Sequence, residues 1–189
     1  DDPLRILRCF RFVSELNFKI EPHILKFIEL NKFQLKTVSV ERIQYELKKI
    51  VQGKEALKTV QFLNDIKIFE WVQSYENIHS NDLLSVNFDN FFVDEIDKFF
   101  PIVYLKELLK EPVIKKFKFS KSDVFAINSL RKWSEKLKEK SIINFTEIER
   151  FDLHKDLEMI LPAFILYLPK AFHKEWLKRW RNKKDKLFH

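Results

Sequence analysis

A single glycine, Gly53, stands in 189 residues. Phosphate-cradling loops, dinucleotide-binding turns and barrels of short strands each need several positions without a Cβ, so those architectures are closed to this chain. What remains open is helix. Apolar residues recur at helical spacing along most of the sequence, and 46% hydrophobic residues with 20 Phe supply enough surface to bury one substantial core or two smaller ones. The expected fold is therefore all-α, an irregular multi-helix array with no sheet. One cysteine, Cys9, excludes an internal disulfide or a multi-cysteine zinc site and fits a reducing, cytoplasmic setting. We read Cys9 as a small buried hydrophobe. The sequence shows no signal-peptide pattern and no apolar run of membrane-spanning length. A net charge of +7 points toward a polyanionic partner.

The opening stretch, Asp1-Asp2-Pro3-Leu4-Arg5-Ile6-Leu7-Arg8-Cys9-Phe10-Arg11-Phe12, starts a helix at once. A carboxylate can accept from free N–H groups there, and proline at the first helical position gives up no hydrogen bond. Arg5, Arg8 and Arg11 recur every third residue, each about 60° behind the last, which places them along one side. Asp2 and Arg5 are three apart, so an acceptor and a planar donor fork can point the same way and read a base edge. The plainer alternative is that Asp2 caps the helix and pairs with Arg5 while the arginines form a solvated face.

A second helix should begin at Glu21-Pro22 with Ile24, Leu25, Phe27, Ile28 and Leu30 inside, and a third at Ser39 with Ile43, Leu47, Ile50 and Val51 as its stripe. In the third, Arg42 and Glu46 lie at i,i+4, near enough to pair, and Gly53 sits where a left-handed cap would be used. One or two helices follow to Val72, broken near Asn64-Asp65. Residues 74–90, rich in Asn, Ser and Asp, read as a loop and subdomain boundary, with His79 as a loop histidine. Pro101 should end or kink a helix, Ser122 should cap a long one, and Thr146 to Glu149 form a capping box. Between Lys115 and Lys121, Lys and Phe alternate, either as a base-stacking strip or as a turn with its phenylalanines inward.

The final segment differs in kind. From Lys170 to His189 eight basic side chains stand against two acidic ones, nearly the whole excess of the chain. Trp176 and Trp180 share a face, and Lys174, Lys178, Arg179, Arg181, Lys183 and Lys184 occupy much of the rest. The segment is either a phosphate-binding helix or a solvated one with its tryptophans docked on the body.

The opening motif resembles the (Glu/Asp)-Asp-x-x-Arg element of the class II tRNA nucleotidyltransferases, the CCA-adding enzymes, and of the bacterial poly(A) polymerases. Val38-Ser39-Val40-Glu41-Arg42-Ile43-Gln44-Tyr45-Glu46-Leu47 resembles their Ser-x-Glu-Arg-Ile-x-x-Glu-Leu element, and the two occur in family order. The departures are Asp1 for Glu and Cys9-Phe10 for small residues; the closing run Arg179 to His189 resembles the Arg-Trp/Tyr-x-Asp-x-x-Asp-Pro-x-x-His stretch of some members, with Lys186 where a proline is usual. The resemblance implies a neck domain over residues 1–72 and a helical body over 73–189. It implies that Asp2 and Arg5 hydrogen-bond the base of incoming CTP or ATP, that Arg8 and Arg11 meet ribose and phosphate, and that Arg42 and Glu46 buttress the site. It implies a tRNA or other RNA 3′ end as partner, and the charge of the tail, on its phosphate-binding reading, makes that segment the expected contact; no membrane is expected. No strand-borne acidic pair is present, so the Mg²⁺ ions that such a reaction needs are expected on a catalytic head outside this sequence, and the chain reads as a piece bounded on both sides. No residue here is expected to be a metal ligand. Two readings stand beside this one: a poly(A) polymerase sharing every motif, and a non-catalytic helical RNA-binding module.

Overall fold

A computed structural model describes residues 2–72 and 97–187, with side chains through Asn182; the expected loop at 74–90 and His79 lie outside the described residues. Among the described residues every regular element is helical. After a turn at Pro3-Leu4 come α1 (Arg5–Leu16), α2 (Pro22–Asn31), a 3₁₀ turn (Lys32–Thr37), α3 (Val40–Gln52) and α4 (Ala56–Asp65). The second part holds α5 (Phe100–Leu108), α6 (Glu111–Lys116), α7 (Lys121–Glu139), a short 3₁₀ turn at Ile142–Asn144, α8 (Glu147–Leu157), α9 (Leu161–Ile165) and α10 (Lys170–Leu187).

Two apolar cores form, and α5 serves both. Leu7, Phe10, Ile43, Leu47, Ile50, Val60 and Leu63 from α1, α3 and α4 are fully buried with Leu108 of α5 and Phe117 after α6. Val103, on another side of α5, joins Trp133, Leu153, Leu157, Phe164 and the tryptophans of α10 in the second core. The sequence on either side of the undescribed stretch is thus joined through one helix.

Local chemistry accounts for several helix starts. Pro22 occupies the first turn of α2, and Thr146 with Glu149 forms the full reciprocal capping box of α8. Glu149 also takes Lys136 Nζ at 2.8 Å and Lys140 Nζ at 2.7 Å, tying α8 to the end of α7. Those two lysines and the Thr146 N–H hold its carboxyl far below the usual range. Pro101 lies in the first turn of α5 and helps start that helix, because its missing N–H is unneeded there. The cap of α7 is Ser120, two residues before the expected Ser122, with its hydroxyl accepting from the Asp123 N–H at 3.1 Å. In the Lys-Phe strip, Phe117 and Phe119 are buried and the lysines exposed, the turn reading of that segment.

Two expectations are corrected. Ile28 alone is buried in α2; Phe27 is 59% and Leu30 73% exposed, and Ile24 also faces water. Helical spacing marks which residues share a face, and here too little of the chain covers that face. Gly53 is extended, at φ −71° and ψ 159°, and not left-handed. Its lack of a Cβ is needed for proximity: a Cβ would lie 2.1 Å from Ser14 Oγ and 2.6 Å from the Ser14 carbonyl carbon. Ser14 is fully buried, its hydroxyl donates to the Ile50 carbonyl at 2.6 Å, and its own carbonyl accepts from the Glu55 N–H at 2.9 Å. We expect Gly53→Ala to cost about 1–3 kcal/mol by forcing α1 and α3 apart, read as a lower urea midpoint at unchanged m-value.

Candidate functional site

The packing of α1 on α3 decides where the opening motif points. Leu4 just before α1 and Leu7 and Phe10 within it are buried, as are Ile43, Leu47 and Ile50 of α3. Between the helices lies Glu46, whose side chain is 2% exposed. A carboxylate so buried requires partners, and it has two: Arg8 Nε at 3.2 Å on one oxygen and Arg11 Nη1 at 3.1 Å on the other. Arg42 reaches the other way, to Asp2 Oδ2 at 2.5 Å. Arg42 and Glu46 thus bind across to α1 and its preceding turn rather than to each other, since the facing helix offers each a better-placed opposite charge than a pair along one exposed helix face.

Asp2 is a fixed acceptor. Its Oδ1 takes the Leu4 N–H at 3.1 Å and its Oδ2 takes Arg42. The Leu4 N–H foremost, then the Arg42 guanidinium, holds this carboxyl below its ordinary range, so it is ionised at neutral pH. It meets Arg42 and not Arg5, so the simple i,i+3 pair of the plainer alternative gives way to a contact between elements.

The three arginines do not share one site. Arg5 is exposed and opens with Asp2 onto a cleft of about 180 Å³ between α1 and α2, which also includes Cys9, Ile24, Phe27, Asn31 and Gln34. Arg8 and Arg11 line a groove of about 640 Å³ between α1 and α3, with Phe12, Glu41, Arg42 and Tyr45. The physical reason is the drift of 60° per three residues: by Arg11 the helix has turned about 120° from Arg5, enough to change neighbours. Arg8 keeps 45% exposure of its side chain, whereas Arg11 keeps 20% and also lies 3.6 Å from Glu15. Cys9 is half-buried between the two sides, and burial pushes its thiol up.

The second candidate surface is α10. Trp176 and Trp180 are buried in the second core, Trp176 stacking on His154 with 5.3 Å between centroids, and Trp180 meeting Phe99 edge-on at 6.0 Å. Lys174, Lys178, Arg179 and Arg181 are exposed, with Arg179 bound to Glu175 at 2.5 Å. The side chains of Lys183 and Lys184 lie outside the described residues. One helix therefore docks by its tryptophans and presents cations to solvent.

Two features of the site were not legible in sequence: the ion pairs that cross between α1 and α3, and the wall that α2 adds beside Asp2 and Arg5. The exposed side of α2 is visible only when its neighbours are placed. Among the described residues no three His, Cys, Asp or Glu side chains gather where they could hold a metal ion, and none of their helices is long and apolar enough to cross a membrane.

Comparison with known proteins agrees with the motifs. Residues 17–75, covering α2 to α4, match the family described as "Probable RNA and SrmB-binding site of polymerase A". The chain is 31% identical over 83 residues to the CCA-adding enzyme of Staphylococcus aureus strain Newman, and 30% identical over 83 residues to that of Staphylococcus epidermidis strain ATCC 12228. Each alignment covers 44% of this chain and 21% of the relative, so the matched stretch spans about a fifth of the length of those curated relatives. No solved structure matches the chain.

Glu46 is the member of this site whose loss is easiest to read. Glu46→Ala leaves Arg8 and Arg11 without their shared partner, and with Arg8 half in water we expect a loss of about 2–3 kcal/mol, less than for a wholly buried pair. Chemical denaturation of the two proteins side by side measures it.

Proposed function

We propose that this chain, which carries a segment of the CCA-adding enzyme and poly(A) polymerase family, is the nucleotide-recognising and RNA-binding helical part of a nucleotidyltransferase that adds C or A residues to a tRNA 3′ end. Residues 1–72 are its neck and 73–189 its body. The observation that carries the reading is the state of Asp2, an ionised acceptor fixed by Leu4 and Arg42 next to the exposed donor fork of Arg5.

An acceptor-only group and a donor-only fork can together satisfy an edge that offers both an amino donor and a ring acceptor, which cytosine and adenine do. A base with the opposite pattern leaves a buried donor or acceptor unpaired, and that penalty is the discrimination. Arg8, half in water, is the arginine placed to meet ribose or phosphate. Arg11, Glu46 and Arg42 act as scaffold, the first two holding α1 on α3 and the third orienting Asp2. CTP and ATP are the substrates in this reading, and the metal ions of the reaction belong to another part of the protein. The exposed cations of α10 meet RNA phosphates without reading sequence. A poly(A) polymerase would use the same residues on RNA ends generally.

The test is a four-nucleotide competition in the full-length protein. Arg5→Ala and Asp2→Ala should each lower the preference for CTP and ATP over UTP and GTP by about ten- to a hundredfold, the equivalent of one stranded polar group. Arg42→Ala, which frees Asp2 without removing it, should relax the preference less. Unchanged preference in all three variants would sink the base-reading assignment.

The tail makes an independent prediction. Reversing charge at Lys178, Arg179 and Arg181 should weaken tRNA binding and lower the slope of log affinity against log salt, since each lost phosphate contact removes a released counterion. Filter binding across a salt series reads this, and an unaltered slope would leave α10 as a solvated helix docked by its tryptophans.

A further inference from the structure

The face of α2 turned away from the core has no part in the reading so far. Phe27 is 59% exposed on a helix that buries Ile28 alone, and it opens onto the same cleft as Asp2 and Arg5. On one wall stand the charged groups proposed to read a base edge. On the other stand Ile24 and Phe27, and the amides of Asn31 and Gln34 also line the cleft. Those amides are held in place: Asn31 Nδ2 donates to the Phe27 carbonyl at 2.8 Å, and Asn31 Oδ1 accepts from Gln34 Nε2 at 2.8 Å. Two lining side chains are therefore tied, one through the other, to the backbone of Phe27.

The size of the space narrows what can enter. A volume of about 180 Å³ compares with the roughly 150 Å³ that suffices for benzene in an engineered cavity, so it takes a ring system and leaves the rest of a nucleotide outside. A flat ring with a polar edge matches the two walls, the edge toward Asp2 and Arg5 and the face toward apolar carbon. An exposed phenylalanine is a stacking surface for a base of any identity, because every base has a π-face.

We infer that the cleft between α1 and α2 holds the base of the incoming nucleotide, and that Phe27 is the residue packed against its face. The inference rests on the base-reading role of Asp2 and Arg5 and adds a division of labour to it. Asp2 and Arg5 choose the base, and Phe27 contributes affinity that is indifferent to which base is chosen. Leu30, still more exposed on the same helix, lies outside the cleft and takes no part.

The experiment measures KM and kcat for each of the four nucleotides in the full-length protein and in Phe27→Ala, Phe27→Tyr, Leu30→Ala and Arg5→Ala. Phe27→Ala should raise KM about tenfold or more for every nucleotide while the preference for CTP and ATP over UTP and GTP stays at the wild-type ratio. Phe27→Tyr, which keeps the ring, should stay near wild type, and Leu30→Ala should change nothing. Because Phe27 is exposed, its removal leaves the core intact, and a thermal melt checks this. A wild-type KM in Phe27→Ala overturns the inference. So does an equal loss in Phe27→Ala and Leu30→Ala, which would make the face a docking surface for another protein segment. If Arg5→Ala relaxes base choice while Phe27→Ala is silent, only the stacking role fails; if Arg5→Ala keeps the wild-type ratio, the base-reading role fails and the inference with it.

Discussion

Glu46 sets the architecture of the first half of the chain. Leaving a carboxylate 2% exposed is tolerable only where cations reach it, and both that do, Arg8 and Arg11, come from α1. The pairing fixes the rotation of α1 as well as its position, since a helix turned by one residue would swing both guanidinium groups away. At the far end of the same seam, Ser14 presses against Gly53 and bonds to Ile50, and at the near end Arg42 holds Asp2. Three polar contacts spaced along one apolar interface specify its register, which apolar side chains alone leave looser.

That register decides which charged groups lie in the α1–α3 seam and which lie on the other side of α1. Arg11 is consumed in the seam, Arg8 is half consumed, and Arg5 projects to the other side of α1 toward α2. Asp2 is anchored through both oxygens, and the anchoring holds it still and lowers its carboxyl further. A base-reading group has to be rigid to discriminate, because a mobile acceptor can adjust to the wrong partner. The cross-helix contacts are thus connected to the proposed chemistry by orientation, with α3 acting on the cleft only through Asp2.

Around this centre most of the remaining helices follow ordinary amphipathic logic, with α2 and α8 departing from it, the latter through exposed Ile148 and Phe151. α5 contributes Leu108 to one core and Val103 to the other, so the two halves share a helix, and α10 docks through Trp176 and Trp180 with its cations outward. One exception is α2, which leaves Phe27 and Leu30 in water, and of these Phe27 lines the cleft beside Asp2 and Arg5.

By itself the sequence determined the helical class, most helix limits, the capping box at Thr146 and the two family motifs, because these depend on spacing, on the scarcity of glycine and on residues within one turn of each other. It also determined that Trp176 and Trp180 share a face opposite exposed cations. It did not determine who pairs with whom. Arg42 and Glu46 are neighbours on one helix, yet each binds a group some 35 to 40 residues away. Gly53 is required by the approach of Ser14 and not by its own backbone angles, a constraint that exists only once α1 lies on α3. The apolar side of α2 carries the same periodicity as a buried one, and the difference between them is the presence of a covering element. Periodicity is a property of one helix and burial is a property of two, so only the tertiary structure could place Phe27 beside Asp2 and Arg5.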